Sequence, residues 1–221
     1  MTGALAALAA GVGVALAPAL DHLATRVPRG PVEHPLPARR LVFAVVGAAL
    51  LAATAARFVD SAALAAFGVL AAGLLLLSVI DIERFLLPNV IVYPLTLVTA
   101  ALLVIASLVD DDGSALLRAI VASAVTGAAF ALLHRLFPAG LAAGDVKLAV
   151  VLGLGTGWLG WGEVFLAFFV AFVLGAFVAG ALVVSRRRHR SDPVPFGPFL
   201  AAGTLVAILV GGEFLDWYAG S

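Results

Sequence analysis

Ser78-Val79-Ile80-Asp81-Ile82-Glu83-Arg84-Phe85-Leu86-Leu87-Pro88-Asn89 interrupts an apolar stretch that spans residues 61–109. On each side of the interruption about 20 apolar residues follow one another, enough to cross a hydrocarbon core of roughly 30 Å as a helix. The polar segment therefore reads as the connection between two membrane helices, with Asp81 at its start. Pro88 suits the first turn of the second helix, where its missing N–H would have no helical partner.

The rest of the chain repeats this pattern. Of 221 residues, 63% are hydrophobic and 12% charged, against about 25% charged in a soluble domain. Apolar runs cover residues 3–20, 41–56, 61–80, 88–109, 115–133, 146–162, 164–184 and 196–212. The expected fold is all-α: a polytopic membrane protein of about eight transmembrane helices in a single membrane domain, 1–221. Residues 1–60 form an N-terminal helix pair around a short loop, 26–40, and residues 61–212 form the core. The chain start lacks the basic n-region of a signal peptide, so the first run is expected to remain as a helix. Pro28, Pro31, Pro35 and Pro37 make 26–40 a loop, and Pro138 with Gly140 breaks the chain before Asp145. The sixth run is rich in glycine (Gly153, Gly155, Gly157, Gly160). No strand precedes it, so tight helix contacts explain the glycines better than a phosphate loop does.

Positive residues near helix ends stay cytoplasmic. Alternate connections divide the thirteen Lys and Arg into eleven (Arg26, Arg29, Arg39, Arg40, Arg84, Arg135, Lys147, Arg186, Arg187, Arg188, Arg190) and two (Arg57, Arg118). Eight spans then put both termini outside and place Asp81 and Asp145 together on the cytoplasmic side. The run 186–190 serves as an anchor for that orientation. A net charge of zero without a basic platform argues against nucleic-acid partners. No cysteine is present, and His22, His34, His134 and His189 stand at no ligand spacing, so neither metal nor cofactor is expected.

Two aspartates at one depth, each beside a helix end and each with a distinctive pattern after it, suggest a catalytic pair. Asp81-Ile82-Glu83-Arg84-Phe85-Leu86-Leu87-Pro88-Asn89 and Gly144-Asp145-Val146-Lys147-Leu148 resemble the first and second motifs of the type IV prepilin peptidases, membrane aspartic proteases of GxGD type. Pro195-Phe196-Gly197-Pro198-Phe199 resembles the stretch that leads into that family's last helix. The resemblance covers roughly residues 65–210. It implies Asp81 and Asp145 as catalytic residues, with Gly144, Lys147, Pro88, Phe196, Gly197 and Pro198 in binding or supporting roles. It also implies prepilin or pseudopilin substrates of pilus or secretion systems, cut at the cytoplasmic face of a bacterial inner membrane, with membrane lipid as the other partner.

The sequence departs from the family pattern in two places. Ala142 stands where the first GxGD glycine would be, and the connection at 26–40 lacks the cysteine-containing cytoplasmic domain of bifunctional members, so the resemblance implies peptidase activity and leaves N-methylation in doubt. In a dyad, one aspartate activates water while the other supplies a proton. The positive end of the sixth helix favours Asp145 as the base. Lys147, the only lysine, is expected as an interfacial anchor or as a cation near the dyad, and Glu83 and Arg84 as a solvated turn. Two other classes stay open: a small transporter, which would carry acids near helix midpoints, and an inactive scaffold of pilus or secretion machinery.

Overall fold

A computed structural model describes residues 2–27, 38–138, 140–185 and 195–219. Among these residues there are eight helices and no strand: α1 (Thr2–Thr25), α2 (Arg39–Phe58), α3 (Leu64–Arg84), α4 (Asn89–Asp110), α5 (Gly113–Leu136), α6 (Ala143–Leu159), α7 (Trp161–Val184) and α8 (Gly197–Ala219). The proline-rich part of the first loop and the basic run 186–190 lie outside the described residues. Seven helices are long and apolar enough to cross a membrane, and the protein is a polytopic membrane protein. The exception, α6, has 17 residues and reaches about 26 Å. It is mostly buried among its neighbours, so little of it needs to match the lipid.

Lipid tails are as apolar as leucine, so membrane helices associate through close packing and hydrogen bonds rather than hydrophobic burial. Glycine makes that possible in all three hairpins, α1–α2, α5–α6 and α7–α8. A Cβ on Gly13 would stand 2.6 Å from the Ala48 backbone, one on Gly153 would be 2.8 Å from the Ala122 carbonyl, and one on Gly203 would be 2.8 Å from the Ala171 nitrogen. The glycine-rich sixth run is thus a packed helix. Hydroxyls complete the α5–α6 seam: Ser123 Oγ donates to the Val150 carbonyl at 2.8 Å and Thr126 Oγ1 to that of Ala149 at 2.9 Å.

α3 is the most enclosed of the spans. Leu75, Leu76, Val79 and Ile80 pack with Ala17, Ala24, Val27 and Phe43 of the N-terminal hairpin. Phe67, Leu70, Leu74 and Leu77 face the larger core shared with α4, α6 and α8. The helix continues past its expected end at residue 80 as far as Arg84, which puts Asp81 inside its last turn. Phe85 closes it in a left-handed conformation (φ 51°), its amide donating to the Asp81 carbonyl at 2.8 Å. This cap position usually belongs to glycine. Pro88 is buried and sits one residue before α4, where its carbonyl accepts the amides of Ile91 and Val92 at 3.0 Å.

The helices alternate in direction, which brings one set of termini together. The C-terminal ends of α1, α3 and α5 share one end of the bundle with the N-terminal ends of α2, α4, α6 and α8, as the contacts below show. At the opposite end Arg118 of α5 donates to the carbonyls of Gly157 at 2.8 Å and Trp158 at 2.6 Å. Those carbonyls belong to the last turn of α6, which has no helical donors of its own.

Candidate active site

Asp81 is 5% exposed. Its Oδ2 accepts the amide of Gly197 at 3.0 Å, a bond that spans 116 positions of sequence. Gly197 is the first residue of α8, so its N–H is one of the donors that a helix leaves unused at its start. A side chain could not occupy the same place, because a Cβ on Gly197 would lie 2.6 Å from that carboxylate oxygen. Only glycine lets the start of α8 approach Asp81 so closely.

Asp145 is 4% exposed and stands in the first turn of α6, which begins at Ala143 rather than at residue 146 as the apolar run suggested. Its Oδ2 accepts the Ala142 amide at 2.9 Å, and its own amide donates to the Ala142 carbonyl at 3.0 Å. This is the acidic half of a capping box, in which the third helical residue reaches back to the N-cap amide. Because the donor is backbone, alanine at 142 serves the purpose as well as glycine. His134 steadies the preceding segment, with Nδ1 2.7 Å from the Leu141 carbonyl. A carbonyl can only accept, so that nitrogen carries the hydrogen.

Both carboxyl groups are buried at this end of the bundle, and Leu87 links them by packing against Gly144, beside Asp145, and Gly197, whose amide binds Asp81. In each, Oδ2 is held by an amide, and Oδ1 accepts no hydrogen bond from a described residue. The helix-dipole asymmetry expected between them is not present in simple form. Asp145 faces the positive end of α6, but Asp81, although in the last turn of α3, receives the positive end of α8. Two helix N-termini converge on the pair.

Leu87 joins the three motifs. It is buried, and a Cβ on Gly144 would be 3.0 Å from its own Cβ, while one on Gly197 would be 3.4 Å from its Cδ2. Gly144 and Gly197 thus both give room to one leucine of the first motif. Phe196, half-buried, packs its ring at a tilt against Phe172 and Phe199 at centroid separations of 5.2 and 6.2 Å and braces the start of α8 against α7. Pro198 occupies the first turn of α8, where a missing N–H costs nothing. Lys147 turns toward α4: Nζ donates to Asn89 Oδ1 at 2.8 Å and lies 5.8 Å from the centre of the Tyr93 ring.

One expectation needs correction. Glu83 and Arg84 are not a solvated turn, because α3 carries them into the packed end of the bundle. Glu83 is 1% exposed and pairs with Arg39 Nη1 at 2.9 Å. Arg84 Nη1 donates to the Val27 carbonyl at 2.9 Å. The buried acids among the described residues are Asp21, Asp81, Glu83 and Asp145, all at this one end and none at a helix midpoint.

Residues 67–180 match the type IV leader peptidase family. A "prepilin leader peptidase/N-methyltransferase" of Burkholderia pseudomallei (strain 1026b) is 38% identical over 205 residues, covering 89% of this chain and 63% of that protein. One of Bacillus subtilis (strain 168) is 32% identical over 175 residues, 79% of this chain and 67% of the relative. One of Aeromonas hydrophila is 38% identical over 79 residues, 36% and 26% respectively. The match thus spans less than two thirds of the Burkholderia and Aeromonas relatives. No solved structure matches.

Proposed function

The chain belongs to the type IV leader peptidase family, and from that premise we propose that it is a membrane aspartic endopeptidase acting on the leaders of type IV prepilins or pseudopilins. The observation that carries this is the burial of two aspartates, Asp81 from α3 and Asp145 from α6, at one end of a membrane bundle, linked through Leu87 and the two glycines it packs against. Two carboxylates at close range do not both ionise, so the pair holds a single proton. The ionised member takes a proton from water as the water oxygen attacks the scissile carbonyl carbon. The protonated member gives its proton to the carbonyl oxygen, and collapse of the tetrahedral intermediate returns a proton to the leaving amine. The amides of Gly197 and Ala142 orient the acids and leave the Oδ1 atoms to the reaction.

The count of positive residues supports an orientation with both termini outside and the dyad at the cytoplasmic face of a bacterial inner membrane. There a basic leader would join an apolar helix, and the bond between them would lie at the depth of the dyad. Gly144, Pro88, Phe196, Gly197 and Pro198 shape the site, and Lys147 with Asn89 borders it. N-methylation is left out of the assignment, since the connection 26–40 contains no cysteine. The transporter alternative is disfavoured by the absence of midpoint acids among the described residues.

Co-expression with a prepilin tests the assignment. Leader removal, read as a gel shift, is expected with the wild type and is lost in Asp81→Ala and Asp145→Ala. A shift that persists in both variants, or no shift with any precursor, would leave the scaffold alternative standing.

A further inference from the structure

The last turn of α3 carries Asp81 and, two residues later, Glu83, and the second acid is tied to a different part of the protein from the first. Arg39, at the start of α2, donates through Nη1 to Glu83 at 2.9 Å and through Nε to Asp21 of α1 at 2.7 Å. Asp21 also receives Arg40 Nε at 2.6 Å. Arg84 adds a second strap, donating to the Val27 carbonyl just past the end of α1. Asp21 and Glu83 are buried, whereas Arg40 keeps most of its surface in solvent. Both helices of the N-terminal hairpin thus grip the turn that bears Asp81, and both lie before the region of the family match, which begins at residue 67.

We infer that Arg39, held by Asp21, is a positioning residue for the proposed peptidase: through Glu83 it sets the rotation of the last α3 turn and so the aim of the Asp81 carboxylate. The inference rests on the peptidase assignment. Among the described residues, the Asp81 carboxylate accepts a single hydrogen bond, from the Gly197 amide. The helix end that carries it closes on Phe85, a residue that forms a left-handed cap less readily than glycine does. A turn built this way keeps its register through what grips it from outside. The Arg39 guanidinium can do so because its fork reaches two carboxylates on two helices at once.

The test separates positioning from mere stabilisation. Arg39→Met leaves Glu83 buried without its Arg39 partner, and it is expected to lower both the melting temperature in detergent and kcat. The kcat loss should be tens of fold, toward the roughly 100-fold that a 1 Å misplacement costs, with KM for a prepilin within about threefold of the wild type. The double variant Arg39→Met/Glu83→Leu removes both charges. It is expected to regain melting temperature while kcat stays low, because the strap is still missing. Recovery of kcat together with stability, or a loss confined to KM, would overturn the inference.

A second measurement needs no substrate. The chain has no cysteine, and a Cβ at Gly144 would lie 3.0 Å from that of Leu87, closer than the roughly 3.5–4.5 Å that a disulfide spans, so Leu87→Cys/Gly144→Cys is expected to form a disulfide under mild oxidation once the two segments part by a few tenths of an ångström. Adding Arg39→Met should slow this at least tenfold, and an unchanged rate would count against positioning. If the disulfide depends on Arg39 while the wild type cleaves no prepilin, the peptidase assignment fails and the mechanical link between Arg39 and this turn stands.

Discussion

Asp112 and Asp145 follow the same local grammar and end in opposite situations. Each stands at a helix N-terminus and accepts a backbone amide at 2.9 Å, Asp112 from Ala115 at the start of α5 and Asp145 from Ala142 at the start of α6. Asp112 lies between spans and is half-buried. The Ala115 amide, with the Ser114 hydroxyl at 2.7 Å, holds its carboxyl below the usual carboxylate range. It is a helix cap and nothing more. Asp145 is buried, at the end of the bundle that also buries Asp81. Capping accounts for one of its oxygens and leaves the other available. An aspartate at a helix start is thus ordinary, and it is burial at the same end as a second buried acid that sets Asp145 apart and underlies the catalytic role proposed for it.

The largest expected contrast is between these two residues. Asp145→Asn or Asp81→Asn should cut prepilin cleavage at least about 100-fold, the range general acid–base groups contribute, with little change in melting temperature, whereas Asp112→Asn should leave turnover intact. The wild-type pH–rate profile should be bell-shaped, as a dyad sharing one proton requires. Near-normal turnover in either dyad variant would break the comparison.

Gly197→Ala should come next. It puts a Cβ against the Asp81 carboxylate and should lower kcat by roughly 10- to 100-fold while the protein stays folded. Arg118→Met should show the reverse pattern at the far end of the bundle. It leaves carbonyls of the last α6 turn without their donor, at a cost of roughly 1–3 kcal/mol. The melting temperature should therefore fall, with kcat per folded molecule unchanged.

The smallest effect belongs to Asp112 and to acid. Its folded-state pKa lies below the ordinary value, so its contribution to stability is complete above that ordinary value and fades as pH falls through the folded one. Melting curves at pH 7 should barely separate Asp112→Asn from the wild type. As pH falls from the ordinary carboxylate range through the lowered folded-state value, the wild type should lose slightly more of its stability than the variant does.

How much of this was legible beforehand differs by level. The eight helices follow from apolar runs about 20 residues long, and most ends moved by only a few residues, although α1 runs on to Thr25 and α8 to Ala219. At Asp81 and Asp145 those few residues mattered. Apolarity marks where lipid ends, and a helix whose last turn packs against protein continues beyond that point. The α3 helix runs on to Arg84, and α6 starts at Ala143. Glu83 and Arg84 were misjudged for the same reason. Polar residues next to a span look solvated until a neighbouring helix supplies their partners, here Arg39 and Val27. One signal was present: Asp21 ends the first run and Arg39 with Arg40 opens the second, so two opposite charges flank one hairpin. Leu87 was legible as a member of the first motif, but its packing was not, since that depends on glycines 57 and 110 positions away.

The sequence by itself determined that the chain is a bundle of membrane helices and that two of them carry an aspartate at the same end. Apolar length and charge placement are local properties, and they survive being read one residue at a time. Only the tertiary structure decided what surrounds those aspartates: the start of α8 against Asp81, the α6 cap on Asp145, Leu87 between Gly144 and Gly197, and the Arg39 strap behind the α3 turn. Each of these joins residues that are distant in the chain. Their geometry depends on how closely helices approach, and in lipid that is set by glycine contacts and buried hydrogen bonds rather than by hydrophobicity.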